Sequence, residues 1–167
     1  MDLYLLRHAI AEERDPDRYP DDRLRPLTDR GREKMFRIAA GIRRFEVVFD
    51  EILSSRYVRA RQTAEIVAEV YSFPRKIGLI KPLEPDQDPK DLIRMIQKRY
   101  RKGKSLLLVG HEPHLGRFIS ELLVGRSRLQ LTFKKGGLCK VSWKTASRAE
   151  SPTLEWFLTP KQLRRIA

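Results

Sequence analysis

The sequence predicts an α/β domain in three layers, with a mostly parallel central sheet and helices on both faces. Three observations lead there. Short apolar runs such as LYLL (3–6) and SLLLVG (105–110) lack polar alternation, which marks strands buried on both faces. Longer amphipathic segments alternate with these runs, giving a β-α-β-α-β-α order early in the chain. The 167 residues suit one domain, spanning 1–167, whose core needs no disulfide or metal.

The elements follow in order. LYLL is the first strand. The polar, proline-containing stretch EERDPDRYPDDRLRP then reads as a long loop. Thr28 is placed to cap a helix over 29–44, with Ile38, Ala39 and Ile42 on one face. FDEILSS (49–55) reads as a second strand. RYVRARQTAEIVAEVY (56–71) reads as a helix with Val58, Ala60, Ala64, Ile66, Val67 and Val70 on its apolar face, and Ser54 or Ser55 as its cap. IGLI (77–80) is a small strand. Pro82, Pro85 and Pro89 punctuate a loop ahead of an amphipathic helix at 91–100. SLLLVG is a further buried strand. A helix over 114–125 ends on Gly125 as its C-terminal cap. Two or three strands are expected near 129–133, 138–144 and 153–158, at least one of them antiparallel at an edge, because no helices separate them. A short helix over 160–165 closes the chain.

Lysine and arginine outnumber aspartate and glutamate by 35 to 22, a net charge of +13. An anionic partner would suit this excess: a phosphate ester, a phosphoprotein or a nucleic acid. The cations are scattered, with short clusters such as Lys98-Arg99-Tyr100-Arg101-Lys102, which favours a generally solvated, arginine-rich surface over an anionic partner, so charge alone assigns nothing and nucleic acid is not the expected partner. The single Cys139 cannot form an internal disulfide, which favours a reduced, cytoplasmic setting. No basic segment precedes an apolar one at the N-terminus, so no signal peptide is expected. No apolar run approaches the roughly 18 residues of a membrane span, so no membrane partner is expected.

Open α/β sheets bind ligands beyond the carboxyl ends of their strands. The first strand ends at Arg7-His8. The second ends at Ser54-Ser55, just before a helix carrying Arg59 in its first turn. The strand at 105–109 ends at Gly110-His111. If these strands are parallel, two histidines and two arginines meet at one edge, where the helix beginning near 56 also points its positive end. Guanidinium forks match phosphate oxygens. A neutral imidazole is a competent nucleophile towards phosphorus, and neighbouring arginines keep it neutral.

At this point the motifs match a family. LYLLRHAIA, RPLTDRG (25–31), ILSSRYVRARQTAEI (52–66) and LLLVGHEPHL (106–115) together resemble the histidine phosphatase superfamily, also called phosphoglycerate mutase-like. Within it the chain looks most like the SixA-type phosphohistidine phosphatases. KKGGLC (134–139) and LEWFLTP (154–160) add to the likeness less specifically. The resemblance covers nearly the whole length. It implies that His8 is the nucleophile that becomes phosphorylated, that Arg7 and Arg59 hold the phosphate, and that His111 contacts it and stabilises the transition state. It also assigns Arg25 to phosphate binding, provided its loop folds back over the site; otherwise Arg25 pairs with Asp21, Asp22 or Asp29. The pattern departs from the family twice: Ala9 stands where Gly is usual, and Arg56 where Pro is usual. Ala9 fits only if its backbone φ is negative.

Several residues have plainer readings. His111-Glu112-Pro113-His114 lacks the carboxylate or cysteine cluster that would complete a metal set, so no metal and no organic cofactor is expected. His114 caps or lines the next helix. Cys139 is a small buried side chain. Thr63 packs or bonds within its helix. The implied activity is a two-step phosphatase reaction through a covalent phosphohistidine on His8. The leading substrate is a phosphohistidine protein, because imidazole leaves more readily than an alkoxide and no acid among Glu84, Asp86 and Asp88 can be placed. The alternatives are a phosphatase for small phosphomonoesters and a non-catalytic domain that binds phosphate or nucleic acid. A phosphate or sulfate ion is expected to fit the pocket.

Overall fold

The computed structural model describes residues 1–100, 103–125, 129–144 and 151–167. Among these, six strands form one sheet: β1 (Asp2–Arg7), β2 (Glu51–Ser54), β3 (Gly78–Leu79), β4 (Ser105–Gly110), β5 (Leu138–Ser142) and β6 (Thr153–Leu158). Their order across the sheet is β3-β2-β4-β1-β5-β6. The first four strands in that order are parallel, and β5 and β6 are antiparallel additions. Five helices complete the fold: α1 (Asp29–Arg44), α2 (Val58–Val70), α3 (Pro89–Arg99), α4 (His114–Val124) and α5 (Pro160–Ile166).

Successive strand residues point to opposite faces, so β1 serves two cores. Tyr4 and Leu6 join Met35, Ile38, Ile42, Ile66 and Val67 under α1 and α2. Leu3 and Leu5 join Leu92, Ile96, Phe118 and Ile119 under α3 and α4. The helices thus cover both faces of the sheet, as the unalternating strands require.

The helix ends follow from local chemistry. Thr28 caps α1, its hydroxyl accepting the Gly31 N–H at 2.9 Å. Asp88 caps α3 through the Lys90 N–H at 2.9 Å, two residues earlier than its amphipathic pattern begins. Gly125 ends α4 in the left-handed region at φ 71°, where its missing Cβ removes the strain. α2 differs from expectation: Tyr57 occupies its cap position without a side-chain bond, and Ser55 Oγ accepts the Tyr57 N–H, at 3.2 Å, ahead of the first helical residue.

The expected strand at 129–133 does not form. Its alternating leucines and phenylalanine suit a strand, but its backbone groups have other partners. The Leu129 N–H donates to Ser120 Oγ at 2.7 Å and the Phe133 N–H to Glu112 Oε1 at 3.3 Å. The Phe133 carbonyl accepts from the Arg7 guanidinium. With these groups satisfied by side chains, no ladder is left to form. Of the basic stretch 98–104, residues 101–102 lie outside the described residues.

Candidate active site

The parallel register brings the predicted strand ends together. Arg7 lies opposite Gly110, and Ser54 opposite Val109. The residues that follow, His8, Ser55 and His111, therefore share one edge. The His8 and His111 rings stand 5.0 Å apart between centroids, and Tyr57 closes on His111 edge-on at 5.0 Å.

Both histidines are buried. His8 Nδ1 lies 2.8 Å from the Ala9 carbonyl. A carbonyl only accepts, so Nδ1 carries the ring proton and Nε2 keeps its lone pair. Burial, assisted by the charges of Arg59, Arg7 and Lys135, lowers the His8 pKa to about 3 against the bond to Ala9. Burial and then the neighbouring His8 lower His111 to about 2. Both rings are neutral at physiological pH. His111 Nε2 bonds Ser55 Oγ at 2.9 Å. Its Nδ1 is buried without a partner among the described residues, as are the Nε atoms of Arg7 and Arg59.

The arginines are held by backbone and carboxylate. Arg59 Nη1 donates to the Asp22 carbonyl at 2.8 Å, and Nη2 pairs with the Asp22 carboxylate at 2.9 Å. Arg59 also lies over the Tyr57 ring, 4.9 Å from its centroid. Arg25 Nε donates to the same Asp22 carboxylate at 2.8 Å, and its Nη1 to the Glu12 carbonyl at 2.6 Å. The loop after β1 thus folds back: one carboxylate fixes Arg25 and Arg59 together. Arg25 pairs with Asp22, yet its side chain is only 15% exposed, which sets it apart from a solvated surface pair.

Ala9 has no positive φ, so its methyl group fits the buried position it occupies. Its N–H donates to Thr63 Oγ1 at 3.0 Å, and that hydroxyl donates to the Arg59 carbonyl at 2.7 Å. Thr63 therefore does bond within its helix, and it also ties the residue after His8 to the helix that carries Arg59. Arg56, the second departure, forms an ion pair with the buried Glu84. That pair engages Glu84, and Asp88 is engaged as the α3 cap. His114 opens α4 fully buried, without acting as its cap. Cys139 is buried in β5, where burial pushes its thiol pKa up.

Two members of the cluster, Asp22 and Lys135, are not singled out as site residues by the sequence. Asp22 is one of several loop acids, and nothing local separates it from Asp21. Lys135 sits on the turn before β5, whose Gly136 N–H donates to the Arg7 carbonyl at 3.1 Å and whose Gly137 carbonyl accepts the Arg7 N–H at 3.1 Å. Its ammonium lies near Arg7, Arg25 and Arg59; burial first, then those charges, lower its pKa. The one available sign was a lysine beside two glycines just ahead of a strand, a turn that returns the chain to the sheet edge.

A family model described as the histidine phosphatase superfamily (branch 1) matches residues 3–77, the stretch carrying His8, Arg25 and Arg59. An uncharacterised protein of Picosynechococcus sp. is 32% identical over 139 residues, covering 83% of this chain and 82% of the relative. The chain belongs to the histidine phosphatase superfamily. Phosphohistidine phosphatase SixA of Escherichia coli is 24% identical over 98% of this chain and 97% of its own. A solved structure of the protein histidine phosphatase SixA with tungstate superposes with a TM-score of 0.83 at 24% identity, over 98% of this chain and 99% of that one. The α/β sheet described above is thus the fold of this superfamily. Among the described residues no group of three or more His, Cys, Asp or Glu side chains could hold a metal ion, and no helix is long and apolar enough to cross a membrane.

Proposed function

We propose that this chain is a phosphohistidine phosphatase working through a covalent intermediate on His8. The observation that carries the reading is the His8 tautomer: Nδ1–H donates to the Ala9 carbonyl, and Nε2 keeps a lone pair in a pocket that holds the ring neutral. In the first step Nε2 attacks phosphorus in line, the N–P bond to His8 forms and the bond to the leaving group breaks. Arg7, Arg59 and Arg25 bear the charge of the equatorial oxygens. The Ser55 hydroxyl accepts the Tyr57 N–H and can turn its own proton to His111 Nε2. In that tautomer His111 Nδ1–H is a further donor. In the second step water attacks phosphorus, the N–P bond breaks back to Nε2, and phosphate leaves.

The leaving group separates substrate classes. An alkoxide needs a proton from a well-placed acid, whereas an imidazole leaves with less help. Glu84 is tied to Arg56, and Asp88 caps α3. With two of the three loop acids engaged, a phosphohistidine substrate is favoured over a phosphomonoester, and Asp86, near enough for its charge to act on Tyr57, is the remaining candidate acid. The test is incubation of wild type and His8→Ala with a 32P-phosphohistidine protein and with a panel of phosphomonoesters. Wild type should acquire acid-labile label and release phosphate from the phosphohistidine protein; His8→Ala should do neither. Equal turnover by His8→Ala, or faster turnover of a monoester, would overturn the mechanism or the substrate class respectively.

A further inference from the structure

Behind Ala9 lies a cavity of about 120 Å3. Ala9, Ile38 and Pro160 contribute walls, and Lys34, Lys135 and Arg164 contribute charge. Among the described residues no carboxylate lines it. Among the described residues none of the three cations is in an ion pair. At about 30 Å3 per water, the space holds roughly four waters, enough for one oxoanion head and little more. Lys34 and Arg164 are half-buried against the partly apolar walls, Arg164 Nε donating to the Pro160 carbonyl at 3.2 Å, and Lys135 is exposed at the rim, so the three cations concentrate positive charge there.

The cavity adjoins the phosphoryl pocket through two residues. Ala9 directly follows His8. Lys135 stands on the turn bonded to the Arg7 backbone, close enough for Arg7, Arg25 and Arg59 to act on its charge. α1 reaches the cavity because Gly31 approaches the Ile10 carbonyl so closely that a Cβ would lie 2.0 Å from its oxygen. That approach brings Lys34, one turn on, to the loop that follows the nucleophile.

We propose that this cavity is an anion subsite that takes a carboxylate of the substrate while the phosphoryl group lies at His8. Naming that carboxylate as an acidic side chain beside the target's phosphohistidine rests on the function proposed above. A substrate without the carboxylate reacts but binds less tightly.

The test separates the two ideas. Calorimetry compares alkylphosphonates with ω-carboxyalkylphosphonates of two to five carbons on wild type, Lys34→Ala, Arg164→Ala and Lys98→Ala. Lys98 is exposed on α3, so its variant loses the same charge away from the cavity. Wild type and Lys98→Ala should bind the best carboxylated ligand about tenfold more tightly than its alkyl counterpart, the scale of a charge-assisted contact. In Lys34→Ala and Arg164→Ala that advantage should fall below about threefold. No advantage in wild type, or the same advantage in all four proteins, would overturn the subsite. These measurements need no turnover. A parallel kinetic arm uses phosphohistidine peptides with glutamate or alanine as neighbours, and wild type should favour the glutamate peptide in kcat/KM. Hydrolysis of neither peptide, with the calorimetric preference intact, would overturn the phosphohistidine reading and leave the subsite standing.

Discussion

His8 shows how one backbone contact sets a reactive group. Its Nδ1 proton is committed to the Ala9 carbonyl, and burial holds the ring at a pKa of about 3. The stability consequence has a definite sign. An unfolded histidine titrates near 6.5, so between about pH 6.5 and 3 the unfolded chain binds a proton at His8 that the folded chain does not. Stability from this group is complete above 6.5 and is lost as pH falls through that window. At pH 5 the loss is about 2 kcal/mol for His8, and His111, held at about 2, adds to it in the same direction. The prediction is that His8→Asn is inactive yet loses less stability than wild type between pH 7 and pH 5. Urea midpoints at both pH values measure it, and equal pH dependence would count against a depressed His8. At this scale Arg7, His8, Arg59 and His111 were legible because each adjoins a strand end that the apolar runs delimit. Asp22 and Lys135 were not, since their places depend on loop contacts that no local pattern encodes.

Between elements, Thr63 is the joint that the sequence understated. A threonine inside a helix reads as a local bond to the preceding turn, and that bond to the Arg59 carbonyl exists. The same oxygen accepts the Ala9 N–H, linking the β1 loop to α2, and this second bond depends on tertiary approach. Thr63→Val keeps the shape and leaves a buried N–H unsatisfied, a cost of about 1–3 kcal/mol. It should lower both the urea midpoint and kcat, the latter about tenfold if the nucleophile shifts by even part of an ångström. Thr63→Ser should restore both. Loss of stability with kcat unchanged in the folded protein would reduce Thr63 to a structural residue. The segment 129–133 teaches the complementary lesson. Its alternation is real, but Arg7, Glu112 and Ser120 take backbone groups that a strand would need. A pattern of side chains says which faces are apolar, not who will satisfy the backbone.

Across the whole molecule, the sheet order was legible only in part. Unalternating runs announced a buried parallel centre, and the helix-free C-terminal end announced antiparallel pairing. Which strands are neighbours is settled by packing, and β4 lies between β1 and β2 although it follows both in the chain. The charge of +13 was the plainest bulk feature and the least assignable. The structure gives part of it a place, since Arg7, Arg25, Arg59 and Lys135 gather at one edge. A field of that sign should draw anionic substrates towards the pocket before any contact forms. The Debye length falls from about 30 Å at 0.01 M salt to about 10 Å at 0.1 M, so steering should weaken over that range. For a phosphohistidine peptide bearing further negative charge, kcat/KM should fall several-fold between about 0.01 and 0.2 M sodium chloride, with kcat nearly constant. A neutral-flanked peptide should lose less, because fewer charges are screened. Kinetics at fixed pH across that series measure both. A parallel fall in kcat would place the salt effect on the bound complex instead, and equal losses for the two peptides would mean that the charge acts only through direct contact with the phosphoryl group.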